Sequence, residues 1–309
     1  MISSGDARRF GVITEPGAVR ANRRLNALSI AAPLAGFLGG LLWLPGIAPT
    51  ATTLALFLAF FVAETIGVGI GLHRFFSHRA FEAGPGVRAA LGVLGSWGMQ
   101  GPIERWVADH RRHHRFADRR GDPHSPWQGD AGAPRSRLAG LWHAHFAWML
   151  TGEVSDPARY AADVRRDPVS RWCSDHYAWL CASSLLAPAL AGALFGGAPE
   201  AARAFVWAGC LRVALLQQLT WSVNSFGHVF GTRVPGATSE GRDQLGLALL
   251  LFGEGLHSFH HRYPSAAVNE PARLDLHGAI LVALARAGLV WRLRRYPTAR
   301  AREARHRAA

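Results

Sequence analysis

The chain has 309 residues, 49% of them hydrophobic, and a formal net charge of +13 at pH 7. Its 34 basic residues are all arginine, since the sequence contains no lysine. The arginines flank long apolar segments, so the positive-inside rule of membrane proteins explains them better than a nucleic-acid partner does. Cys173, Cys181 and Cys210 lack the spacing of metal or disulfide motifs, so neither a disulfide framework nor a cysteine-ligated metal is expected.

Four apolar segments are each long enough to cross a bilayer, which takes about 20 helical residues. They cover 28–47, 51–72, 177–198 and 205–223. The first two are joined by an uncharged linker at 48–50, which predicts a helical hairpin. The apolar stretch 87–98 is too short to span, and we interpret it as an interfacial or re-entrant helix.

The distribution of charge predicts the topology. Arginines are concentrated before the first apolar segment and after the second, whereas the far loops hold only Glu200 and Arg203. This asymmetry places both termini in the cytosol, at the inner membrane if the arginine-rich chain is bacterial. The polar regions 73–176 and 224–290 then form a helical cytosolic cap, with a basic tail at 291–309. The predicted fold is a single all-α domain, integral to the membrane, with four transmembrane helices.

Nine histidines fall into four short clusters on the predicted cytosolic side. They are His73 and His78; His110, His113 and His114; His228; and His257, His260 and His261. Neutral imidazole is a good ligand for iron, zinc, copper and nickel. Because a zinc site takes three or four protein ligands, nine histidines are too many for one ion and about right for two. The sequence thus predicts a dimetal centre at a membrane face.

The spacing within the clusters follows helix geometry. Histidines three or four residues apart share one face of a helix, as they do in 110–114 and 257–261. His73 and His78 are five apart and would diverge in an ideal α-helix. We therefore expect the second span to end or loosen near Arg74.

Several carboxylates near the clusters could accept a hydrogen bond from the outer ring nitrogen of a ligating histidine, or bind metal themselves. They are Asp109, Asp118, Asp122, Asp243 and Glu254. Six other histidines lack the cluster spacing, and we interpret them as structural because a lone histidine on an apolar helix is usually a core residue. They are His124, His143, His145, His176, His277 and His306.

Three strings resemble the histidine boxes of membrane fatty acyl desaturases: GLHRFFSH (71–78), DHRRHH (109–114) and GEGLHSFHH (253–261). The string WSVNSFGH (221–228) is similar to the Asn/His element of the acyl-CoA, delta-9 branch. The resemblance extends over roughly 50–265. It implies a four-span helical fold with a cytosolic cap, a diiron centre, and O2-dependent removal of two hydrogens from an unactivated acyl chain.

By this resemblance, the nine histidines bind two iron ions directly and Asn224 holds a water on one of them, with zinc able to replace iron on heterologous expression. The implied product is a cis double bond, at delta-9 in this branch. The substrate is then an acyl-CoA, an acyl carrier protein thioester or a lipid-linked acyl chain. Electrons come from a separate ferredoxin, rubredoxin or cytochrome b5-type donor with its reductase, because the sequence has no HPGG string of a fused cytochrome b5 domain.

This chain departs from the family pattern in three places. Gly152 and Glu153 stand where animal acyl-CoA desaturases carry a basic pair, and Ala108 stands where they carry an arginine. Contacts expected for CoA phosphates are therefore partly missing, which leaves the acyl carrier open. In the third box, Leu256 and Ser258 replace an aromatic residue and an asparagine.

Helical phase and the resemblance together suggest substrate contacts. Gln217, Trp221, Asn224 and His228 share a helix face, with Thr220 beside it, while Trp106 lies one turn before His110 and Gln100 matches a family tunnel position. The alternative is ordinary interfacial tryptophan packing. Phe57 and Phe61, deeper along the second span, are expected to close a tunnel of limited length at the methyl end.

Two charged residues lie inside apolar segments, where an unpaired charge is expensive. Glu64 and Arg212 lie at similar depths, and we expect them to face the helix bundle and pair. Alternatively, Arg212 snorkels or serves a lipid headgroup.

Removing hydrogen from a methylene group needs a metal–oxygen oxidant, because the C–H bond is strong and not acidic. An acyl desaturase is the first hypothesis. A lipid or alkyl hydroxylase on the same metal site is the second, and product analysis distinguishes a double bond from an inserted oxygen. A non-enzymatic metal carrier is the third, but transporters place their ligands near mid-membrane depth, whereas these clusters flank the spans.

Overall fold

A computed structural model describes residues 3–129, 133–151 and 153–296 of the chain. Gly152, His306 and most of the basic tail predicted at 291–309 lie outside the described residues. In chain order the helices are α1 (Ser4–Phe10), α2 (Pro16–Trp43), α3 (Ala51–Ile66), α4 (Pro85–Trp97), α5 (Ile103–Phe116), α6 (Arg137–His145), α7 (Pro157–Tyr160), α8 (Ala162–Arg165), α9 (Pro168–Asp175), α10 (Tyr177–Ala204), α11 (Arg212–Ser225), α12 (Leu245–Leu250), α13 (His257–Arg262) and α14 (Leu276–Arg286).

The fold is predominantly helical, as predicted, but it also contains two small antiparallel strand pairs. The strands are β1 (Val12–Ile13), β2 (Glu82–Ala83), β3 (Val154–Ser155) and β4 (Val290–Trp291). β1 pairs with β3, and β2 pairs with β4. Each pair joins distant parts of the chain, which is why the purely helical expectation from local sequence patterns missed them.

Within the described residues, three helical segments are long and apolar enough to cross a membrane: Pro16–Trp43, Ala51–Ser77 and Tyr177–His228. The first begins twelve residues before the predicted segment 28–47, because Glu15 accepts hydrogen bonds from the backbone N–H groups of Gly17 and Ala18 and so starts the helix early. The lipid-facing character of these segments is visible at their surface. Leu42, Trp43, Trp179 and Leu194 are each more than three-quarters exposed, which is typical of side chains that face a bilayer.

The third segment folds back on itself. Gly196 and Gly197 have non-helical backbone angles, with φ of −153° and 64°. Arg212 Nη2 donates to the Ser184 carbonyl at 2.7 Å, although the two residues would be about 42 Å apart along a straight helix. The segment is therefore a hairpin of two antiparallel legs, which correspond to the predicted segments 177–198 and 205–223.

The predicted pairing of the two intramembrane charges is confirmed. Glu64 and Arg212 are fully buried and form an ion pair between Glu64 Oε1 and Arg212 Nη1. Ser184 Oγ donates to the same Glu64 oxygen at 2.8 Å. The pair thus ties α3 to both legs of the hairpin, and Arg212 neither snorkels nor reaches a lipid headgroup.

The second span continues past α3 as a π-helix, Gly67–Ser77, which packs closely on α4. A Cβ on Gly67 would overlap the backbone of Leu94, and one on Gly71 would lie 2.7 Å from the Leu91 carbonyl oxygen. The predicted short helix at 87–98 is α4, and its place against the π-helix depends on these glycines.

A Gly67→Ala substitution is expected to destabilise the protein by about 1–3 kcal/mol, the usual effect of overpacking a close contact. Gly39→Ala is the matched control. Gly39 is also in a membrane helix, but a Cβ there meets no atom within 4 Å, so this change should be neutral or stabilise by up to about 1 kcal/mol through helix propensity. Thermal unfolding of the two variants in detergent measures the difference, and equal midpoints would contradict the proposed contact.

The larger hydrophobic cluster packs the π-helix against α5, α10 and α11. Its members include Leu72, Ile103, Val107, Leu180 and Leu216, all buried. Because Leu72 precedes His73 directly and Val107 lies one turn before His110 on α5, this cluster fixes the first two histidine strings relative to each other.

Candidate metal centre

The π-helix resolves the spacing problem of the first histidine string. The His78 backbone N–H donates to the His73 carbonyl at 3.2 Å, a bond between residues five apart. This pattern places i and i+5 on about the same face, and the two imidazole rings lie 5.0 Å apart. The expected loosening near Arg74 is thus present, although it begins earlier, at Gly67, and the helix does not end until Ser77.

The third histidine string forms α13, whose first turn is capped by a carboxylate. Asp243 Oδ1 accepts from the backbone N–H groups of Ser258 and Phe259 at 2.7 and 3.3 Å. Ser258 Oγ in turn accepts from the Val234 N–H at 2.9 Å. Ser258, which departs from the family pattern, therefore fastens the loop before α12 to the helix that carries three of the histidines.

All nine predicted ligands come together in two groups, in each of which the candidate ligand atoms lie within 4.8 Å of one another. The five-histidine group contains His73, His78, His110, His114 and His260. The four-histidine group contains His113, His228, His257 and His261. Each group draws on at least two of the sequence strings, so neither could form from one helix alone.

The spacing of the nitrogens fits one cation in each group. In the five-histidine group, His260 Nε2 lies 3.0 Å from His73 Nε2 and 2.9 Å from His114 Nε2. In the other group, His257 Nε2 lies 2.9 Å from His228 Nε2 and 3.0 Å from His261 Nε2. Metal–histidine bonds of about 2.0–2.1 Å put neighbouring nitrogens at right angles about 3 Å apart.

Carboxylates fix the orientation of one histidine in the first group and two in the second. Glu254 Oε2 pairs with His73 Nδ1, Asp122 Oδ1 accepts from His113 Nδ1 at 2.9 Å, and Asp118 Oδ1 accepts from His228 Nδ1 at 2.9 Å. A proton on Nδ1 leaves the Nε2 lone pair directed into the group. Lone pairs converging at about 3 Å repel each other unless a cation lies between them, so the donor set fits a metal ion.

Two of the five predicted carboxylates act elsewhere. Asp243 caps α13, as described above, and Asp109 is hydrogen-bonded to Ser155 on β3. The partner of each carboxylate depends on which segments the tertiary fold brings beside it, and sequence proximity alone does not give it.

Burial keeps the imidazoles outside the spans neutral and ready to bind metal. Desolvation, followed by the neighbouring histidines, lowers the pKa of His114 to about 3. The same causes hold the pKa values of His110, His257 and His260 well below the usual range. Protons therefore do not compete with a metal ion for these nitrogens near neutral pH.

Glu254 is the centre of a buried network that the sequence did not predict. Its Oε1 accepts from Arg74 Nη2 and from His277 Nδ1, both at 3.0 Å, while its other oxygen holds His73. Arg74 also pairs with Asp275 through two bonds of 2.8 and 2.9 Å.

The network reaches the metal site from α14, more than 200 residues after His73. His277 is fully buried, and its ring fills the space beside Gly69, where a Cβ would collide with it. Interpreting His277 as structural was correct only in the sense that it is not in either histidine group. The signal available in the sequence was a polar string, D-L-H, at the start of an otherwise apolar helix.

Two adjoining cavities border the histidine groups. The inner cavity, about 500 Å³ including its open part, runs beside the π-helix and is lined by Thr65, Val68, Gly69, Leu216, Val223, Leu251, Glu254, His73 and His257 among others. The outer cavity, about 570 Å³ on the same measure, includes Asn26, Gln100, Arg105, His124, Trp148 and Trp221. Trp106, His110, Thr220 and Asn224 line both, so the cavities meet beside the histidines.

Five of the residues predicted to contact substrate or water thus line these cavities: Gln100, Trp106, Thr220, Trp221 and Asn224. Gln217 instead cross-links the bundle, donating to the carbonyls of Ser29 and Met99 at 2.9 and 3.2 Å. Phe57 and Phe61 stack on each other and lie outside both linings, with Phe61 one turn beyond Thr65. Their role at the methyl end of the substrate stays a prediction.

A family model described as fatty acid desaturase matches residues 49–294. A protein of Moorena producens named hex-5-enoyl-[acyl-carrier protein] acetylenase is 35% identical over 259 residues, covering 81% of this chain and 79% of that protein. The sn-1 stearoyl-lipid 9-desaturase of Synechocystis is 31% identical over 215 residues, covering 68% of this chain and 61% of that protein.

Acyl-CoA desaturase 1 of Saccharomyces cerevisiae is 29% identical over 256 residues, which cover 78% of this chain but 47% of the yeast protein. The chain therefore matches less than two thirds of the Synechocystis and yeast proteins. The family model nevertheless spans the three histidine strings, the Asn/His element and every lining residue of the two cavities except Asn26. The chain belongs to the fatty acid desaturase family.

Proposed function

We propose that the protein is an O2-dependent fatty acyl desaturase that introduces a cis double bond, at delta-9, using two iron ions held by the nine histidines. The observation that carries the proposal is the contact of the two convergent imidazole groups with a mainly apolar inner cavity that adjoins a more polar outer one. His110 lies in a histidine group and also lines both cavities, so a chain threaded through them passes beside the ligands.

When bound, the two iron ions supply the oxidising power that O2 and external electrons provide for breaking unactivated C–H bonds. The residues of the chain would position the substrate, exclude water and orient the ligands. Leu216, Val223 and Leu251 form an apolar wall that excludes water and holds one bend of a flexible chain in place. The buried carboxylates keep the imidazoles in one tautomer and orientation. Asn224, which lines both cavities, would hold a water on one of the two ions.

We further propose four membrane crossings, with both termini and the metal centre on the cytosolic side of a bacterial inner membrane, in a single domain. The hairpin at Gly196–Gly197 supports two crossings by the third apolar segment. The concentration of arginine around the histidine strings supports the cytosolic placement.

The acyl carrier and the electron donor are also proposals. The names of the relatives include acyl carrier protein, lipid and CoA, and this chain lacks part of the basic set expected for CoA, so we propose all three as candidate carriers. An acidic ferredoxin, rubredoxin or cytochrome b5-type protein with its reductase would suit the arginine-rich face.

Replacing Phe57 and Phe61 together with alanine is expected to extend the preferred acyl chain by several carbons, because removing two large rings beyond Thr65 would open space past the end of the inner cavity. Gas chromatography of products from mixed-length substrates measures the preference. Leu58→Ala on the exposed face of the same helix is the control. An unchanged chain-length profile in the double variant would remove these residues from the tunnel.

Expression in a host that lacks unsaturated fats, followed by gas chromatography and mass spectrometry of its lipids, tests the proposed function. The expected result is a monounsaturated product that depends on O2 and on an intact His260. A product carrying an inserted oxygen would establish the hydroxylase instead, and a triple bond would establish an acetylenase. Iron binding with no lipid product, given a working electron donor, would contradict an enzymatic role.

A further inference from the structure

Three buried polar atoms on residues that line the outer cavity have no hydrogen-bond partner within the described residues. They are His124 Nδ1, Trp148 Nε1 and Thr220 Oγ1. A buried donor or acceptor without a partner destabilises the protein, because it has lost its hydrogen bonds to water and gained none in return. Three such atoms around one cavity therefore indicate a site that a polar ligand completes.

His124 is held firmly in this position. Its side chain is only 3% exposed, its ring stacks on His113 at 4.2 Å, and it lies 5.2 Å from the Trp148 ring. Its backbone N–H donates to Asp122 Oδ1 at 3.1 Å, but Nδ1 is 4.0 Å from that oxygen, too far for a hydrogen bond. The ring therefore cannot satisfy Nδ1 by a small rotation without losing its stacking.

The donor and acceptor types define the ligand. An indole N–H only donates, so the group facing Trp148 must be an acceptor, whereas a hydroxyl and a neutral imidazole nitrogen can do either. The other indole of the cavity is already used, because Trp221 Nε1 donates to Gln100 Oε1 at 3.0 Å. A carbonyl oxygen is the simplest group that meets these requirements beside an acyl chain.

The position of the cavity indicates what a bound carbonyl would do, which is to position the acyl chain. The outer and inner cavities meet at Trp106 and Thr220, next to His110. A chain whose polar end is held at His124 and Trp148 would run past both histidine groups into the inner cavity. The distance from the held carbonyl to the junction then decides which methylenes lie beside the metal centre.

We propose that His124 and Trp148 form a carbonyl-binding subsite that holds the polar end of the acyl substrate and sets the position of the double bond. The inference rests on the proposed function and adds the group that anchors the substrate. The ligand chemistry is a thioester or amide carbonyl of an acyl-pantetheine, which acyl-CoA and acyl carrier protein share, or the ester carbonyl of a glycerolipid.

A metal ion bound by His113, Asp122 and His124 is the competing use of these atoms, since the three are close enough to hold one. His113 already directs Nε2 into the four-histidine group and donates Nδ1 to Asp122. It has no nitrogen left for another ion, so His124 is assigned to the substrate.

The decisive experiment compares ligands that differ only at the carbonyl. Saturated acyl-pantetheine thioesters of six to eighteen carbons are screened on the full-length, iron-loaded protein, and the tightest binder is paired with its thioether, in which CH2 replaces the carbonyl. Wild-type protein should bind the thioester about 3- to 10-fold more tightly, the effect of one buried neutral hydrogen bond. Trp148→Phe keeps an aromatic ring but removes the indole N–H. It should reduce the thioester-to-thioether affinity ratio towards one and leave the thioether affinity unchanged.

Trp142→Phe is the matched control, because Trp142 is 62% exposed and lies outside the cavity, and it should keep the wild-type ratio. A parallel arm compares an ester-linked with an ether-linked glycerolipid. A Trp148-dependent preference in that arm alone assigns the same subsite to a lipid substrate. An unchanged ratio in Trp148→Phe for both ligand pairs, or no binding of any carbonyl ligand, overturns the proposal.

His124→Phe separates the subsite from a metal role. The variant should retain the wild-type iron content, lose the carbonyl preference, and give products with scattered double-bond positions. Loss of iron in His124→Phe would make His124 a ligand and refute the assignment. If the expressed protein makes double bonds but neither variant changes binding or position, only this inference fails; absence of any double bond would count against the proposed function instead.

Discussion

A His260→Ala variant is expected to lose desaturation by more than about 100-fold, the upper end for residues that merely support a metal ligand. His260 occupies the middle of the five-histidine group, with the Nε2 atoms of His73 and His114 at 3.0 and 2.9 Å. Removing its ring takes away the nitrogen that lies beside those of both His73 and His114. Iron bound per chain should fall from two ions towards one, because the four-histidine group contains none of these three side chains.

His176→Ala is the control for this experiment. His176 is exposed at the end of α9, where it stacks on Trp172, and it belongs to neither histidine group. Its replacement should leave the iron content and the amount of product unchanged. Iron analysis and Mössbauer spectroscopy of the purified variants give the stoichiometry independently of activity. Two ions retained by His260→Ala, with a wild-type spectrum, would show that this residue is not a ligand.

The buried Glu64–Arg212 pair is expected to give the second large effect. Glu64→Gln leaves the fully buried Arg212 without its counter-charge, and breaking a buried pair in this way destabilises proteins by about 3–5 kcal/mol. Arg212→Met should cost a similar amount for the same reason. The double variant carries no buried charge, and it should recover most of the stability that either single change loses.

Thermal unfolding in detergent of the wild type, the two single variants and the double variant completes a double-mutant cycle. The positive coupling predicted here requires the double variant to be more stable than both single ones. If the two losses of stability simply add, the two side chains act separately. Ser184 and the surrounding apolar contacts would then hold α3 against the hairpin without the ion pair.

The carboxylate network shows which part of the site a local sequence pattern predicts and which part it does not. The sequence marked Glu254, Asp118 and Asp122 as partners for histidines, because acidic residues beside ligating histidines commonly take the outer ring nitrogen. It could not identify the histidine that each one holds. Glu254 reaches His73, 181 positions earlier in the chain, and is itself held by Arg74 and His277. These pairings arise because the turn between α12 and α13, which carries Glu254, lies against both the π-helix and the start of α14, and no short string records that arrangement.

By itself, the sequence identified the nine histidines of the candidate metal centre, the apolar segments and the resemblance to the family. Those features depend on spacing within one helix or on composition within one segment, and both are local. Only the tertiary structure decided how the nine histidines divide. Neighbours in one string are separated: His110 and His114 join the first group while His113 joins the second, and His260 leaves His257 and His261. Adjacent positions on a helix point in different directions, so the division depends on the angle at which α5, α13 and the π-helix meet.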